Sequence, residues 1–217
     1  MAVPALPRRC LAEAVGTGIL VFLGTGAIVE GAKLGGVPQV ELALAWFAAV
    51  AIPILAFART SGAHINPAVT VALVVARRFS LKELPAYVGA QFAGAFLGSA
   101  LVGALIGTSA HWGATLPWHG DTALVAPLEF GFTTALILSV LFLTAPGKAP
   151  SNWELTLPAI VVGISTLLIG PWTGSSLNPA RTLAPAVLSG DYAGVWVYLA
   201  TVHAAAFIAG WLVSLRQ

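Results

Sequence analysis

Six long apolar segments and two shorter ones determine what this chain can fold into. Each long segment approaches the roughly 20 residues that an α-helix needs to cross a bilayer core. Only 8% of the 217 residues are charged, whereas a soluble domain carries about 25%. The sequence therefore predicts an all-α membrane protein, with spans at residues 11–29, 40–57, 84–106, 123–144, 155–169 and 193–214.

The two shorter apolar segments, residues 67–76 and 179–188, follow a repeated tripeptide. Its copies are Asn66-Pro67-Ala68 and Asn178-Pro179-Ala180. Asparagine is a strong helix N-cap and proline suits the first helical position, so each copy predicts a helix start. At 1.5 Å per residue each short helix covers about 15 Å, half of the bilayer core. The tripeptides therefore predict two half-helices that begin near the membrane midplane.

The chain also contains an internal repeat. Glu13 lies early in the first span and Glu129 early in the fourth, and an Asn-Pro-Ala follows each of them at a similar distance. Because each half has three spans, an odd number, the second half must be inverted in the membrane relative to the first. Inverted repeats are a transport architecture. We expect one domain over residues 1–217, with repeats at roughly 8–107 and 122–215.

The basic residues predict how the chain crosses the membrane. With six spans, most of them lie on one side, together with both termini, which the positive-inside rule assigns to the cytoplasm. We therefore expect a multi-pass protein of the cell membrane, and the basic pI is no sign of nucleic-acid binding. The residues on this side are Arg8, Arg9, Arg59, Arg77, Arg78, Lys82, Lys148 and Arg216.

The segments before the tripeptides predict a pore. Irregular backbone at membrane depth is tolerated only where it is buried in protein or lines an aqueous cavity. We expect the carbonyl groups of residues 61–64 and 172–176 to be free to accept hydrogen bonds along that pore. The positive helix ends and the amides of Asn66 and Asn178 would form a donor-rich point. Such a point binds a neutral molecule with a lone pair and repels cations and protons.

These motifs resemble the aquaporin, or major intrinsic protein, family along essentially the whole chain. The resemblance implies six tilted spans plus two re-entrant half-helices, assembled as a homotetramer with one pore per subunit. It also implies no cofactor. The matching residues are Ala12-Glu13, Gly16-Thr17, Ser61-Gly62-Ala63-His64, Asn66 to Thr70, Gln91, Gly94-Ala95, Glu129 and Asn178 to Arg181.

The resemblance also places a second, outer constriction at Trp46, Thr166, Ser175 and Arg181. Water-selective members carry Phe, His, a small residue and Arg at these places, and glycerol facilitators carry Trp, Gly, Phe and Arg. This chain matches neither set. The plant nodulin-26-like group, with Trp, an aliphatic residue, Ala and Arg, is the most similar pattern. Its members pass water, glycerol and neutral metalloid acids.

The constriction residues predict the permeant. Thr166 in place of His removes an imidazole donor and opens space, while Trp46 supplies an apolar wall on which a carbon backbone can slide. We expect a channel for water and glycerol, with urea, hydrogen peroxide and undissociated metalloid acids as further candidates. Thr182 and Ala186 resemble the water-channel branch, so a strict water channel is the alternative.

Several ionisable residues lie within the membrane. Glu13 and Glu129 could relay protons in a coupled transporter, but the resemblance implies that they accept hydrogen bonds from the re-entrant loops. That interpretation is favoured because the loops hold many N–H groups that need buried acceptors. His64 is either a pore-lining residue or a buried, hydrogen-bonded histidine. His203 in the sixth span is interpreted as structural.

Other classes of function find less support. A coupled transporter would need an ionisable residue at the midplane beside the tripeptides, and none is expected there. The spans hold no Ser/His pair, paired carboxylates or metal-ligand cluster, which argues against an enzyme. Residues 107–121 resemble an interfacial segment because they contain Trp112 and Trp118. Within it, His111 and His119 are interpreted as exposed loop residues and not as metal ligands.

Overall fold

The computed structural model describes residues 4–216, and the half-helices lie inside a bundle of long helices. In chain order the helices are α1 (Leu6–Lys33), α2 (Gln39–Ser61), α3 (Pro67–Val75), α4 (Leu84–Leu105), α5 (Ser109–Gly113), α6 (Thr122–Leu143), α7 (Leu157–Thr173), α8 (Pro179–Ser189) and α9 (Val195–Ser214). Short 3-10 helices cover Trp118–Gly120 and Glu154–Thr156. The half-helices are α3 and α8.

The six predicted spans are confirmed, because six helices within residues 4–216 are long and apolar enough to cross a membrane. Three of them, α1, α2 and α7, extend at least four residues beyond a predicted bound. α1 runs from Leu6 to Lys33, with a proline in its first turn and a lysine in its last, since polar ends can project beyond the apolar core. α7 continues to Thr173 and ends at Gly174, whose φ of 73° is the left-handed conformation that favours glycine.

The helices run alternately between two faces of the bundle. We call the face that holds the start of α1 and the end of α9 the terminal face, and the opposite one the distal face. α3 starts inside the bundle and runs to the terminal face, while α8 starts inside it and runs to the distal face. The two half-helices therefore point their N-termini at each other, as the inverted repeat predicts.

Each half-helix packs against long helices of the other half. α3 lies against α9 and α6, and α8 lies against α4. Gly210 of α9 permits this close contact, because a Cβ atom there would lie 2.6 Å from the carbonyl oxygen of Ala72 in α3. The two halves thus pack into each other around the meeting point, where the N-termini of the half-helices face each other.

Glycines set the packing of α1 on α4. A Cβ atom at Gly94 would overlap the carbonyl oxygen of Ala14, and one at Gly98 would overlap that of Gly18. Small residues spaced four apart let helix backbones approach closely in a membrane. At the terminal face, Arg9 binds Glu83 through two hydrogen bonds, of 2.9 and 2.5 Å, and these lower the pKa of the Glu83 carboxyl. α1 and α4 are thereby joined along their length and at one end.

Candidate functional site

The two asparagines cap the half-helices. The Oδ1 atom of Asn66 accepts a hydrogen bond of 2.9 Å from the Ala68 amide, and the Oδ1 atom of Asn178 accepts one of 2.9 Å from the Ala180 amide. Both asparagines have extended backbone, as N-cap residues do. The helix starts predicted at Pro67 and Pro179 are where α3 and α8 begin.

The same two side chains also cross between the halves. Nδ2 of Asn66 donates to the carbonyl oxygen of Leu177 at 2.8 Å, and Nδ2 of Asn178 donates to that of Ile65 at 2.9 Å. Ile65 and Leu177 have left-handed backbone, with φ of 44° and 52°. Each amide nitrogen carries a second N–H. Both asparagines line a cavity inside the bundle, so this second N–H is the group that each can offer to a molecule there.

The two buried glutamates accept hydrogen bonds from the loops before the half-helices. Glu13 accepts from the Ser61 hydroxyl at 2.6 Å and from the backbone N–H groups of His64 and Ile65, at 3.0 and 2.7 Å. Gln91 adds a fourth donor at 2.8 Å. Loop N–H groups that are buried away from water need such acceptors. Glu13 thus fixes the course of the loop that leads to Asn66.

Glu129 has the equivalent position in the second half. It accepts from the backbone N–H groups of Ser176 and Leu177, at 2.9 and 3.0 Å. Both glutamate side chains are fully buried. Their contacts are those of an acceptor for the loop backbone.

Two tyrosines that the sequence interpretation did not select donate hydrogen bonds to backbone carbonyl groups at the same loops. The Tyr87 hydroxyl donates to the Ser61 carbonyl at 2.9 Å, and the Tyr198 hydroxyl donates to the Thr173 carbonyl at 2.7 Å. The carbonyl of Gly174 accepts from Arg181 at 3.4 Å. The prediction that the carbonyls of residues 61–64 and 172–176 are free is therefore wrong for these three. A tyrosine within an apolar span is the sequence signal that could have indicated these contacts, because its hydroxyl needs a hydrogen-bond partner when it is buried.

His64 meets both descriptions that the sequence left open. Its imidazole lines the cavity and is buried, with Nδ1 3.2 Å from the Thr70 hydroxyl. The ring packs against Phe79 and Tyr87, with centroids 4.9 and 5.1 Å away. His203 makes a local contact only, with Nδ1 2.7 Å from the Leu199 carbonyl one turn earlier.

A cavity of about 120 Å³ passes the meeting point of the half-helices. Leu143 and Thr144 line it near the terminal face, and Trp46 and Arg181 line it toward the distal face. Its wall is mostly apolar, with the polar groups of His64, the two asparagines and Arg181 along it. Further lining residues are Leu20, Val50, Ile54, Val69, Leu136 and Val162.

Arg181 and Trp46 are stacked at the distal end of the cavity. The guanidinium carbon of Arg181 lies 4.6 Å from the centroid of the Trp46 ring, and its Nη1 donates to the Gly113 carbonyl at 2.8 Å. Nε of Arg181 is buried and finds no hydrogen-bond partner among the described residues. Gly24 accommodates the indole, because a Cβ atom there would lie 2.5 Å from it. The pair thus forms a charged and aromatic wall.

Thr166 and Ser175 are buried nearby but do not line this cavity. The Ser175 hydroxyl is 2.6 Å from the Ser165 hydroxyl, which uses part of its hydrogen-bonding capacity within the protein. The Thr166 hydroxyl has no partner within residues 4–216, and the Thr166 carbonyl accepts from Nε2 of Gln39 at 2.5 Å. A place for both residues at the constriction stays a prediction.

The segment between α4 and α6 reaches the site, which its description as an interfacial segment did not foresee. It supplies the Gly113 carbonyl to Arg181 and the Thr115 hydroxyl, 3.1 Å from that of Thr182. His111 lies 2.9 Å from Asp191, and the ring of His119 packs on Trp118. Within residues 4–216, no group of three His, Cys, Asp or Glu side chains could hold a metal ion.

Comparisons with known proteins agree with this geometry. A family model described as major intrinsic protein matches residues 2–213. The chain is 34% identical over 206 residues to Aquaporin NIP1-1 of Oryza sativa subsp. japonica, covering 94% of this chain and 72% of that protein. It is 33% identical over 222 residues to Nodulin-26 of Glycine max, covering 99% of this chain and 79% of that one. The X-ray structure of the aquaglyceroporin from Plasmodium falciparum superposes with a TM-score of 0.80 at 28% identity, covering 97% of this chain and 96% of its own.

Proposed function

The chain belongs to the major intrinsic protein family, and from this premise we propose that its pore conducts water and small neutral solutes while excluding ions and protons. The single observation that carries the proposal is the reciprocal contact of Asn66 with Leu177 and of Asn178 with Ile65. It puts two helix N-termini and two amide donors at one point on the wall of the cavity.

The physical reason for selectivity is the positive electrostatic potential at that point. The N-terminus of a helix carries about half a positive elementary charge. Two such ends repel a cation, and donors oriented inward bind an oxygen lone pair. A chain of waters is thereby oriented away from the meeting point on both sides, which opposes proton hopping.

The solute range follows from the distal end of the cavity. We propose glycerol as a permeant beside water, with urea, hydrogen peroxide and undissociated metalloid acids as further candidates. Trp46 offers an apolar wall and Arg181 offers donors, which suits a solute with a carbon backbone on one side and hydroxyl groups on the other. The likeness to an aquaglyceroporin supports this range. A strict water channel is the alternative, which the residue types at Thr182 and Ala186 support.

The assembly and placement form part of the same proposal. We propose a homotetramer in which each subunit carries its own pore, as the family resemblance implies. The chain is one channel domain over residues 1–217, with inverted repeats at roughly 8–107 and 122–215. Both termini lie on the cytoplasmic side of the cell membrane, which the basic residues near the terminal face support.

Stopped-flow light scattering of proteoliposomes tests the proposal. We expect shrinkage in a non-permeant osmolyte to be much faster than in empty liposomes, and re-swelling in glycerol to be faster too. Fast water flux with glycerol flux equal to that of empty liposomes would leave the strict water channel. Water flux equal to that of empty liposomes would overturn the channel proposal.

A further inference from the structure

Gln39 is the first residue of α2 and lies distal to the residues that line the cavity. It precedes Trp46 by seven residues in α2, which is two helical turns and therefore nearly the same side of the helix. Trp46, Val50 and Ile54, farther along this side, line the cavity. The side chain of Gln39 is partly buried, at the distal end of α2. The pore-facing side of α2 thus continues outward from Trp46 to a polar residue.

α7 continues the wall in the same direction. Pro158 and Val162 line the cavity, and Thr166 and Gly170 follow Val162 at successive steps of four residues, which places them along one side of the helix. Gln39 bridges to this side, since its Nε2 donates to the Thr166 carbonyl at 2.5 Å. The two walls are therefore connected across the region just outside the stacked pair of Trp46 and Arg181.

Gly170 makes the bridge possible. A Cβ atom at this position would lie 2.6 Å from Nε2 of Gln39, so any larger residue would displace the amide. The glycine has ordinary helical backbone and no turn requires it. Its lack of a side chain is explained by the space that the Gln39 amide occupies.

Hydrogen-bonding capacity remains unused around the bridge. Among the described residues, the hydroxyl of Thr166 and Nε of Arg181 are both buried without a partner. Gln39 uses one N–H in its bond to Thr166, and an amide has a second N–H and an acceptor oxygen besides. Because Gln39 is only partly buried, its amide is the group at the bridge that a solute can reach.

We propose that Gln39 is a specificity-determining residue at the distal entrance of the pore. Its amide restricts the opening between α2 and α7, and a neutral solute with hydroxyl groups must exchange hydrogen bonds with it before passing Trp46 and Arg181. Longer linear polyols of four or five carbons are therefore retarded more than water. This inference rests on the proposed channel function.

The test is the ratio of polyol to water flux in proteoliposomes, with erythritol and xylitol as probes. We expect Gln39→Ala to raise that ratio about fivefold, the factor that corresponds to one net hydrogen bond of about 1 kcal/mol. Gln39→Asn, whose shorter amide cannot reach the Thr166 carbonyl, should act in the same direction. Glu41→Gln, an exposed residue in the same turn of α2, is the matched control and should leave the ratio unchanged.

A double-mutant cycle distinguishes an effect at the pore entrance from a general loosening of the fold. Gly170→Ala should raise the ratio in the parent protein and have no further effect in the Gln39→Ala background, because its Cβ atom would overlap the Gln39 amide and make only an ordinary contact with Thr166. Ratios equal to that of the parent in both Gln39 variants would overturn the inference while leaving the channel intact. A parent that conducts no more water than empty liposomes would instead refute the channel itself.

Discussion

Asn66 donates a hydrogen bond of 2.8 Å to the carbonyl oxygen of Leu177, across the point where the two halves of the chain meet. The reciprocal bond joins Asn178 to Ile65. Each asparagine therefore caps its own half-helix and holds the loop of the other half. Neither re-entrant loop has its full set of hydrogen bonds without its counterpart, so the two halves must assemble together.

Asn178→Asp should admit cations. The remaining Oδ1 can still cap α8, but an oxygen replaces the donor that faced the Ile65 carbonyl, and a negative charge appears beside the pore. We expect potassium leak into proteoliposomes, followed with a voltage-sensitive dye, to rise above that of the parent. Asn152→Asp, the same chemical change at an exposed residue between α6 and α7, is the control. A variant that conducts water and leaks no more potassium than the parent would contradict the electrostatic explanation.

Glu13→Gln should destabilise the first re-entrant loop. The amide nitrogen of the new side chain would face backbone donors, and each buried N–H left without an acceptor costs about 1–3 kcal/mol. We expect a lower Tm in detergent than for the parent. Glu41→Gln, which removes an exposed carboxylate at the start of α2, should leave the Tm unchanged. Equal Tm values for the two variants would show that the stability of the loop does not depend on Glu13.

Arg181→Ala should weaken selection at the distal end of the cavity. It removes a buried guanidinium that both stacks on Trp46 and binds the Gly113 carbonyl. We expect a higher glycerol-to-water flux ratio or a weak cation leak, and no gain in water selectivity. Arg181→Lys keeps the charge but loses the planar stacking, so its flux ratio and cation leak should lie between those of the parent and of Arg181→Ala. If both variants match the parent in ratio and leak, Arg181 does not select the permeant.

The double variant Trp46→Phe, Thr166→His should narrow permeation toward water. Histidine adds bulk and a donor at residue 166, and the smaller phenylalanine removes the broad apolar wall. We expect the glycerol flux to fall relative to the water flux in stopped-flow measurements, with each single variant showing part of the change. Undiminished glycerol flux in the double variant would show that these two residues do not form the constriction.

Gly94→Ala should destabilise the packing of α1 on α4. An added methyl group would overlap the carbonyl oxygen of Ala14, and overpacking costs about 1–3 kcal/mol. Gly89→Ala, in the same helix, is the matched control because nothing lies within 4 Å of its Cβ position. We expect a lower Tm for the first variant and an unchanged or higher one for the second. The reverse order would contradict the role of Gly94 as a close-contact residue.

The starts of the half-helices could be predicted because the signal is local. An N-cap asparagine, a proline in the first turn and a short apolar run stand next to each other in sequence at Asn66 and at Asn178. The buried acceptors Glu13 and Glu129 were also visible, since a carboxylate within an apolar span needs donors. These features depend on residue type, which the sequence shows directly.

The hydrogen-bond partners of Arg181 could not be predicted, because they are the backbone carbonyls of Gly113 and Gly174. The Gly113 carbonyl is positioned by three left-handed residues, Ala110 to Trp112, and by the Trp112 ring against Gly103. Any residue has a carbonyl group, so no residue type signals this contact. The contact of Gln39 with Thr166 was missed for a related reason, because only the structure brings α2 and α7 together there.

The most direct measurement compares water and proton fluxes in the same proteoliposomes. Water flux is read by light scattering, and proton flux by an internal pH-sensitive dye after a pH step, with valinomycin and potassium to remove the membrane potential. The crossed contacts of Asn66 and Asn178 predict water flux well above that of empty liposomes, with proton flux equal to theirs. Proton flux that rises with water flux would contradict exclusion at the meeting point, and water flux no faster than in empty liposomes would contradict the pore.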